Sequence, residues 1–151
     1  MALSNFDLME MCRQLKLDCR GVFSKDQLPK DRRVGSYYVN MEDSEDGNGT
    51  HWVFMRIFDN GKAIYFDSYG TLPPIEIKDF LKPFRPFATS NRHIQDNPSN
   101  KCGYFCVGCD MFFTYDRNPK KDIAENFDDF LNMFSINKPL NDKIIMEYLR
   151  K

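Results

Sequence analysis

The chain has 151 residues, which suits one domain with one modest core. Aromatic residues make up 15% of it, 14 Phe and 7 Tyr among them, and so much large apolar surface excludes a disordered chain. Lys and Arg number 21 against 22 Asp and Glu, a net charge of −1, so the composition supports neither nucleic acid nor an anionic membrane as a partner.

The opening MALSNFDLMEMC has neither a basic n-region nor an apolar h-region. No apolar run reaches roughly 18 residues. The expectation is a soluble intracellular protein without a signal peptide, in which five cysteines read as free thiols of a reducing compartment.

In chain order, Ser4-x-x-Asp7 reads as a capping box. Phe6, Met9, Cys12 and Leu15 follow at helical spacing and predict a helix over about 5–16. The stretch GVFSKDQLPKDRR, with Gly21 and Pro29 among charges, reads as a loop. VGSYYVN (34–40) reads as a strand and the acidic MEDSEDGNGT (41–50) as a solvated loop. HWVFMRIF (51–58) and KAIYFDS (62–68) are rich in strand formers and flank Asp59-Asn60-Gly61, the strongest hairpin signal in the chain. Pro73-Pro74 opens a short helix, IEIKDFLK, and RHIQ (92–95) reads as a further short strand. Helices are then predicted over about 102–115, 122–134 and 142–150, the last with Asn141 as its N-cap. No repeat, low-complexity tract or linker divides the chain, so a single domain over 1–151 is expected. A helix, a run of strands and then helices indicate an α+β fold.

Three of the five cysteines, Cys102, Cys106 and Cys109, fall in KCGYFCVGC. The C-x3-C-x2-C spacing is one by which radical enzymes hold an iron–sulfur cluster. On a helix, however, the outer two would lie about 10.5 Å apart along the axis, too far to grip one small cluster. Zinc fares little better, with His51 and His93 the only histidines, so no metal is expected. Buried free thiols suit Cys106 and Cys109. Cys102 follows the polar DNPSNK and should open a buried helix, where the helix dipole and a nearby imidazolium both favour a thiolate.

Two histidines compete to serve it. His93 is close in sequence but has no carboxylate strand beside it. His51 opens a strand whose hairpin partner carries Asp67. A two-residue turn would put His51 and Asp67 on opposite faces. A three-residue loop, with Gly61 in the left-handed conformation, pairs Phe58 with Lys62 and Val53 with Asp67. Asp67 is then the diagonal neighbour of His51. Gln95, shortly before Cys102, is a candidate donor to an oxyanion, as is the Cys102 backbone N–H.

The ordered motifs GTHWVFM, YFDSYG and IQDNPSNKCGYFCVGC resemble those of the adenovirus-type (adenain-like) cysteine proteases and of their relatives that cleave ubiquitin-like modifiers. GVFSKDQLP followed by YYVNMED resembles the branch found in Polinton-type elements and virophages. The resemblance implies an adenain-like α+β fold, with a mostly antiparallel central sheet packed against helices and the nucleophile at a buried helix N-terminus. It implies His51 as general base, Asp67 as its orienting carboxylate, Cys102 as nucleophile and Gln95 as oxyanion donor. Trp52 would pack beside the site and touch substrate, although a core indole fits that position equally well. No cofactor is implied. The implied activity is a thiol endopeptidase that trims capsid or other virion precursors after glycine, acting in an infected cell and carried in the virion. Two alternatives remain: a deconjugating protease of ubiquitin-like modifiers, and an inactive binding module of the same fold. The adenovirus enzyme carries Glu where this chain has Asp67. It also takes DNA and a disulfide-linked peptide as activators. No cysteine lies here between Cys19 and Cys102 to receive such a peptide, and the identity of any activator stays open.

Overall fold

A computed structural model describes residues 2–42 and 51–150; the expected acidic loop lies, from 43 on, outside the described residues. Helix α1 (Asn5–Gln14) starts where the capping box predicts. Ser4 Oγ accepts the Asp7 N–H at 3.1 Å and the Asp7 carboxylate accepts the Ser4 N–H at 2.9 Å.

The sheet contains β1 (Cys19–Ser24), β2 (Gly35–Asn40), β3 (Trp52–Ile57), β4 (Ala63–Phe66) and β5 (Ala88–Thr89), in the spatial order of the sequence. Its central pairs, β2–β3 and β3–β4, are antiparallel, and its outer pairs, β1–β2 and β4–β5, are parallel. Strands alternate between two cores. Tyr38, Phe54, Ile64 and Phe66 face the larger one, which also takes residues from α1, α3 (Cys102–Met111), α4 (Ile123–Leu131) and α5 (Pro139–Leu149). Tyr37, Val39, Met55 and Tyr65 face the other, under α2 (Ile75–Leu81). Covering both faces explains why β2, β3 and β4 read as almost unbroken apolar runs rather than alternating ones. Among the described residues no helix is long and apolar enough to cross a membrane.

Three local expectations are corrected. GVFS is part of β1 rather than a loop: Val22 pairs with Tyr38 and Phe23 with Val39. The partners sit beyond a separate loop, so the charges flanking GVFS hide a strand that only tertiary pairing creates. RHIQ is not a strand. Ile94 and Gln95 instead both donate their backbone N–H to the Ser68 carbonyl, at 2.9 and 3.0 Å, and the short strand is Ala88–Thr89. Asn141 does not cap α5, which opens earlier at Pro139, where a missing N–H costs nothing. Its buried side chain accepts the Ser135 N–H at 2.7 Å and donates to the Ile94 carbonyl at 2.8 Å.

Helix α3 is buried almost all round and continues through a π-helical turn, Phe112–Asp116. A helix this apolar has little to fix its register on the sheet, and Asp110 supplies a directional contact. Its carboxylate, fully buried, accepts from Ser36 Oγ at 2.5 Å, from the Tyr38 hydroxyl at 2.7 Å and from Arg56 at 3.0 Å. Burial pushes the Asp110 pKa up despite these partners, since an enclosed carboxylate is costly to charge. Removing one partner of such a pair leaves the other stranded. Asp110→Ala should therefore destabilise the protein by about 3–5 kcal/mol in urea unfolding, whereas Asp128→Ala on the exposed side of α4 should change it by less than about 0.5 kcal/mol.

Candidate active site

The β3–β4 connection closes with the three-residue loop. Phe58 donates its N–H to the Lys62 carbonyl at 2.8 Å, Gly61 donates to the Phe58 carbonyl at 3.1 Å, and Gly61 adopts φ 79°. A left-handed residue at that point favours glycine. Phe54 pairs with Phe66, a register that, carried one residue outward, sets Val53 against Asp67. His51 and Asp67 consequently share a face, and Nε2 of His51 lies 2.8 Å from Oδ1 of Asp67.

Asp67 is 1% exposed and held from several sides. Its Oδ1 also accepts the Tyr69 N–H at 2.9 Å, its Oδ2 accepts the Thr71 hydroxyl, and its own N–H donates to Ser90 Oγ at 2.9 Å. Burial alone would raise its pKa, but the hydrogen bond and charge of His51, with Thr71 and Tyr69 adding to them, hold it below the usual carboxylate range. The turn that brings Tyr69 and Thr71 to the carboxylate depends on Gly70, at φ 72°, where a Cβ would meet the Arg92 backbone at 2.7 Å.

Cys102 is the first residue of α3. Among the described residues no side chain caps that helix start, which leaves its first-turn N–H groups without a side-chain acceptor. The Trp52 N–H points at the Cys102 sulfur at 3.4 Å, which joins the start of β3 to the start of α3. The same thiol is near enough to His51 to help raise its pKa, and with Nε2 of His51 on Asp67, Nδ1 is the ring nitrogen left uncommitted. Burial works against a charged imidazole, yet hydrogen bonds to Asp67 and Cys102, together with their charges, raise His51 from 6.5 to about 9. Cys106 and Cys109 continue the helix inside the core, where burial pushes both thiols up and makes them poor nucleophiles. Among the described residues no group of three His, Cys, Asp or Glu is arranged to hold a metal.

Gln95 is buried within the same assembly. Its Oε1 accepts from Ser68 Oγ at 2.5 Å and its Nε2 donates to the Ser99 carbonyl at 3.0 Å, three residues before Cys102. Trp52 has a core indole whose Nε1–H donates to the Leu3 carbonyl at 2.8 Å. It borders a cleft of about 600 Å³ between the N-terminal segment and the ends of β1 and β2, where the described lining residues carry no charged side chain. His93 is exposed and meets the Tyr69 ring edge-on at 5.4 Å. Sequence reasoning missed Tyr69, which stacks on His51 with ring centroids 4.6 Å apart, as well as Ser68, Thr71 and Ser90. YFDSYG contains two of these four residues and Thr71 follows it directly, but a serine or a tyrosine after an aspartate carries no local signal of its own.

No family model matches the chain, and no curated protein does. Among solved structures, the ASFV pS273R protease aligns with a TM-score of 0.58 at 12% identity, over 95% of this chain and 66% of that one. Its Se-Met form aligns with a TM-score of 0.54 at 13% identity over the same shares. The SUMO protease Ulp1 with its catalytic cysteine oxidized to a sulfenic acid aligns with a TM-score of 0.34 at 12% identity, over 76% of this chain and 54% of that one. The chain thus spans just under two thirds of the pS273R protease, and over that span the two share an α+β fold.

Proposed function

We propose that the protein is a thiol endopeptidase with Cys102 as nucleophile, His51 as acid and base, Asp67 as the carboxylate that orients His51, and Gln95 as an oxyanion donor. One observation carries the reading: Asp67 holds His51 at 2.8 Å, and His51 in turn senses the Cys102 thiol at the uncapped start of a buried helix. That is the arrangement an acyl-transfer nucleophile needs.

With its pKa raised to about 9, His51 is charged at neutral pH and so carries the proton that the leaving amine will need. Cys102, reacting as its thiolate, attacks the scissile carbonyl carbon and forms a C–S bond. The oxyanion charge is met by the first-turn N–H groups of α3 and by the Gln95 amide. As the C–N bond breaks, His51 gives its proton to the leaving amine. Neutral His51 then takes a proton from water, which attacks the thioester, releases the acid and restores the enzyme. Stacked on His51, Tyr69 limits its movement and favours its charged form.

The substrate reading follows the sequence motifs: virion precursor proteins cut after glycine, by an enzyme of the Polinton and virophage branch. The described lining of the cleft beside Trp52, uncharged side chains, suits an extended, uncharged stretch of polypeptide. Incubating capsid precursors with the enzyme and with Cys102→Ala, followed by mass spectrometry of the new termini, tests this. Cleavage after glycine by the wild type alone is expected. Processing of ubiquitin-like modifier precursors but of no virion protein would move the assignment to the deconjugating proteases.

The raised His51 pKa gives a signed pH dependence. Stability from the His51–Asp67 contact should be complete below pH 6.5 and fade as pH rises through about 9. The alkaline limb of kcat/KM should fall over the same upper range, as the imidazolium loses its proton. Asp67→Asn removes the carboxylate that raises His51, so that limb should move to lower pH while kcat drops on the order of 10²-fold or more. An unmoved limb with near-normal kcat would assign the histidine's partner elsewhere.

A further inference from the structure

Ser68 follows the orienting carboxylate directly and is fully buried, yet the mechanism above gives it no task. Its contacts all lead to the segment that carries Gln95. The Ser68 carbonyl accepts the backbone N–H groups of Ile94 and Gln95 at 2.9 and 3.0 Å, and its hydroxyl lies 2.5 Å from Gln95 Oε1.

The orientation of that amide can be deduced from its partners. A side-chain amide has one face that only accepts and one that only donates, and the two are nearly isosteric. The Ser99 carbonyl can only accept, so the –NH2 of Gln95 must face it, at 3.0 Å. The carbonyl oxygen of the amide then faces Ser68, whose hydroxyl must donate. One of the two Nε2 hydrogens is spent on Ser99, and the other is the one an oxyanion would receive. Ser99 is itself fixed, its Oγ donating to Asp142 at 2.8 Å and accepting the Lys101 N–H at 3.1 Å, so this frame ends one residue before Cys102.

We propose that Ser68 is a positioning residue: by donating to Gln95 Oε1 it holds the amide so that the second Nε2 hydrogen is the one offered to the oxyanion. This rests on the reading of Gln95 as the oxyanion donor. Without the hydroxyl, the buried Oε1 loses its partner. A rotated amide would then set an oxygen against the developing negative charge, where it repels instead of stabilising. Adjacent residues thereby divide the work: Asp67 orients the base and Ser68 orients the donor.

The test compares wild type, Ser68→Ala, Gln95→Ala and the double variant by kcat and KM on a cleaved peptide and by the rate of Cys102 alkylation. Gln95→Ala should lower kcat roughly 10²–10³-fold. Ser68→Ala should lower it at least about tenfold with KM within about threefold, and Cys102 alkylation should be unchanged in both. Because Ser68 acts through Gln95, the double variant should be no slower than Gln95→Ala alone. Ser68→Ala near wild type beside a crippled Gln95→Ala overturns the positioning role, as do effects that multiply in the double variant. Gln95→Ala near wild type overturns the donor reading and the positioning role with it. If Ser68→Ala melts too low to assay, Ser68→Cys, which keeps a weaker donor, takes its place. An intermediate kcat is then expected, and a wild-type kcat overturns the role.

Discussion

One residue of strand register governs the candidate site. Side chains alternate across a strand, so a slip of one position between β3 and β4 would send Asp67 to the face opposite His51. The three-residue loop prevents it. Phe58 closes on Lys62 with Gly61 left-handed and Asn60 not, whereas a two-residue type I′ turn would need both in that conformation. The carboxylate–imidazole contact at 2.8 Å is therefore set by the length of a loop that ends on a glycine six residues before Asp67.

A second constraint lies on α3, where the nucleophile candidate sits. The helix is apolar enough to be enclosed on nearly every side, which puts Cys102 beside the sheet but says little about its rotation and translation. Directional contacts supply that. Asp110 meets Ser36, Tyr38 and Arg56 toward one end, and at the other the Trp52 N–H meets the Cys102 sulfur. Arg56 and Trp52 belong to the same strand, so β3 grips α3 at two levels. A buried carboxylate adds little net stability; its value here is geometric.

Around the thiol, polar side chains are satisfied in pairs. Asp67 is held by Tyr69, Thr71 and Ser90, and Gln95 by Ser68 and Ser99. Buried acceptors and donors left unpaired would each cost on the order of 1–3 kcal/mol, so such networks hold a single arrangement. Under the proposed function that rigidity matters, because an oxyanion donor works only when it is already in place.

The sequence alone determined the features that rest on short-range chemistry. The Ser4 capping box, the Asn60-Gly61 hairpin signal and the apolar run from Cys102 are each written within a few residues, and each lies where the spacing puts it. His51, Asp67 and Cys102 were legible for the same reason: two follow from hairpin register and the third from a polar-to-apolar boundary. Tertiary structure decided whatever depends on partners distant in the chain. β1 is a strand only because β2 lies parallel to it, Asn141 turns from an expected cap into a bridge to Ile94 and Ser135, and RHIQ is held by a single carbonyl instead of a ladder. Ser68, Tyr69 and Asp110 acquire partners 27, 18 and 74 positions away in the chain, His51 being the partner of Tyr69. No local pattern encodes which polar groups will meet inside a core, since that is fixed only once the surrounding apolar surfaces have closed.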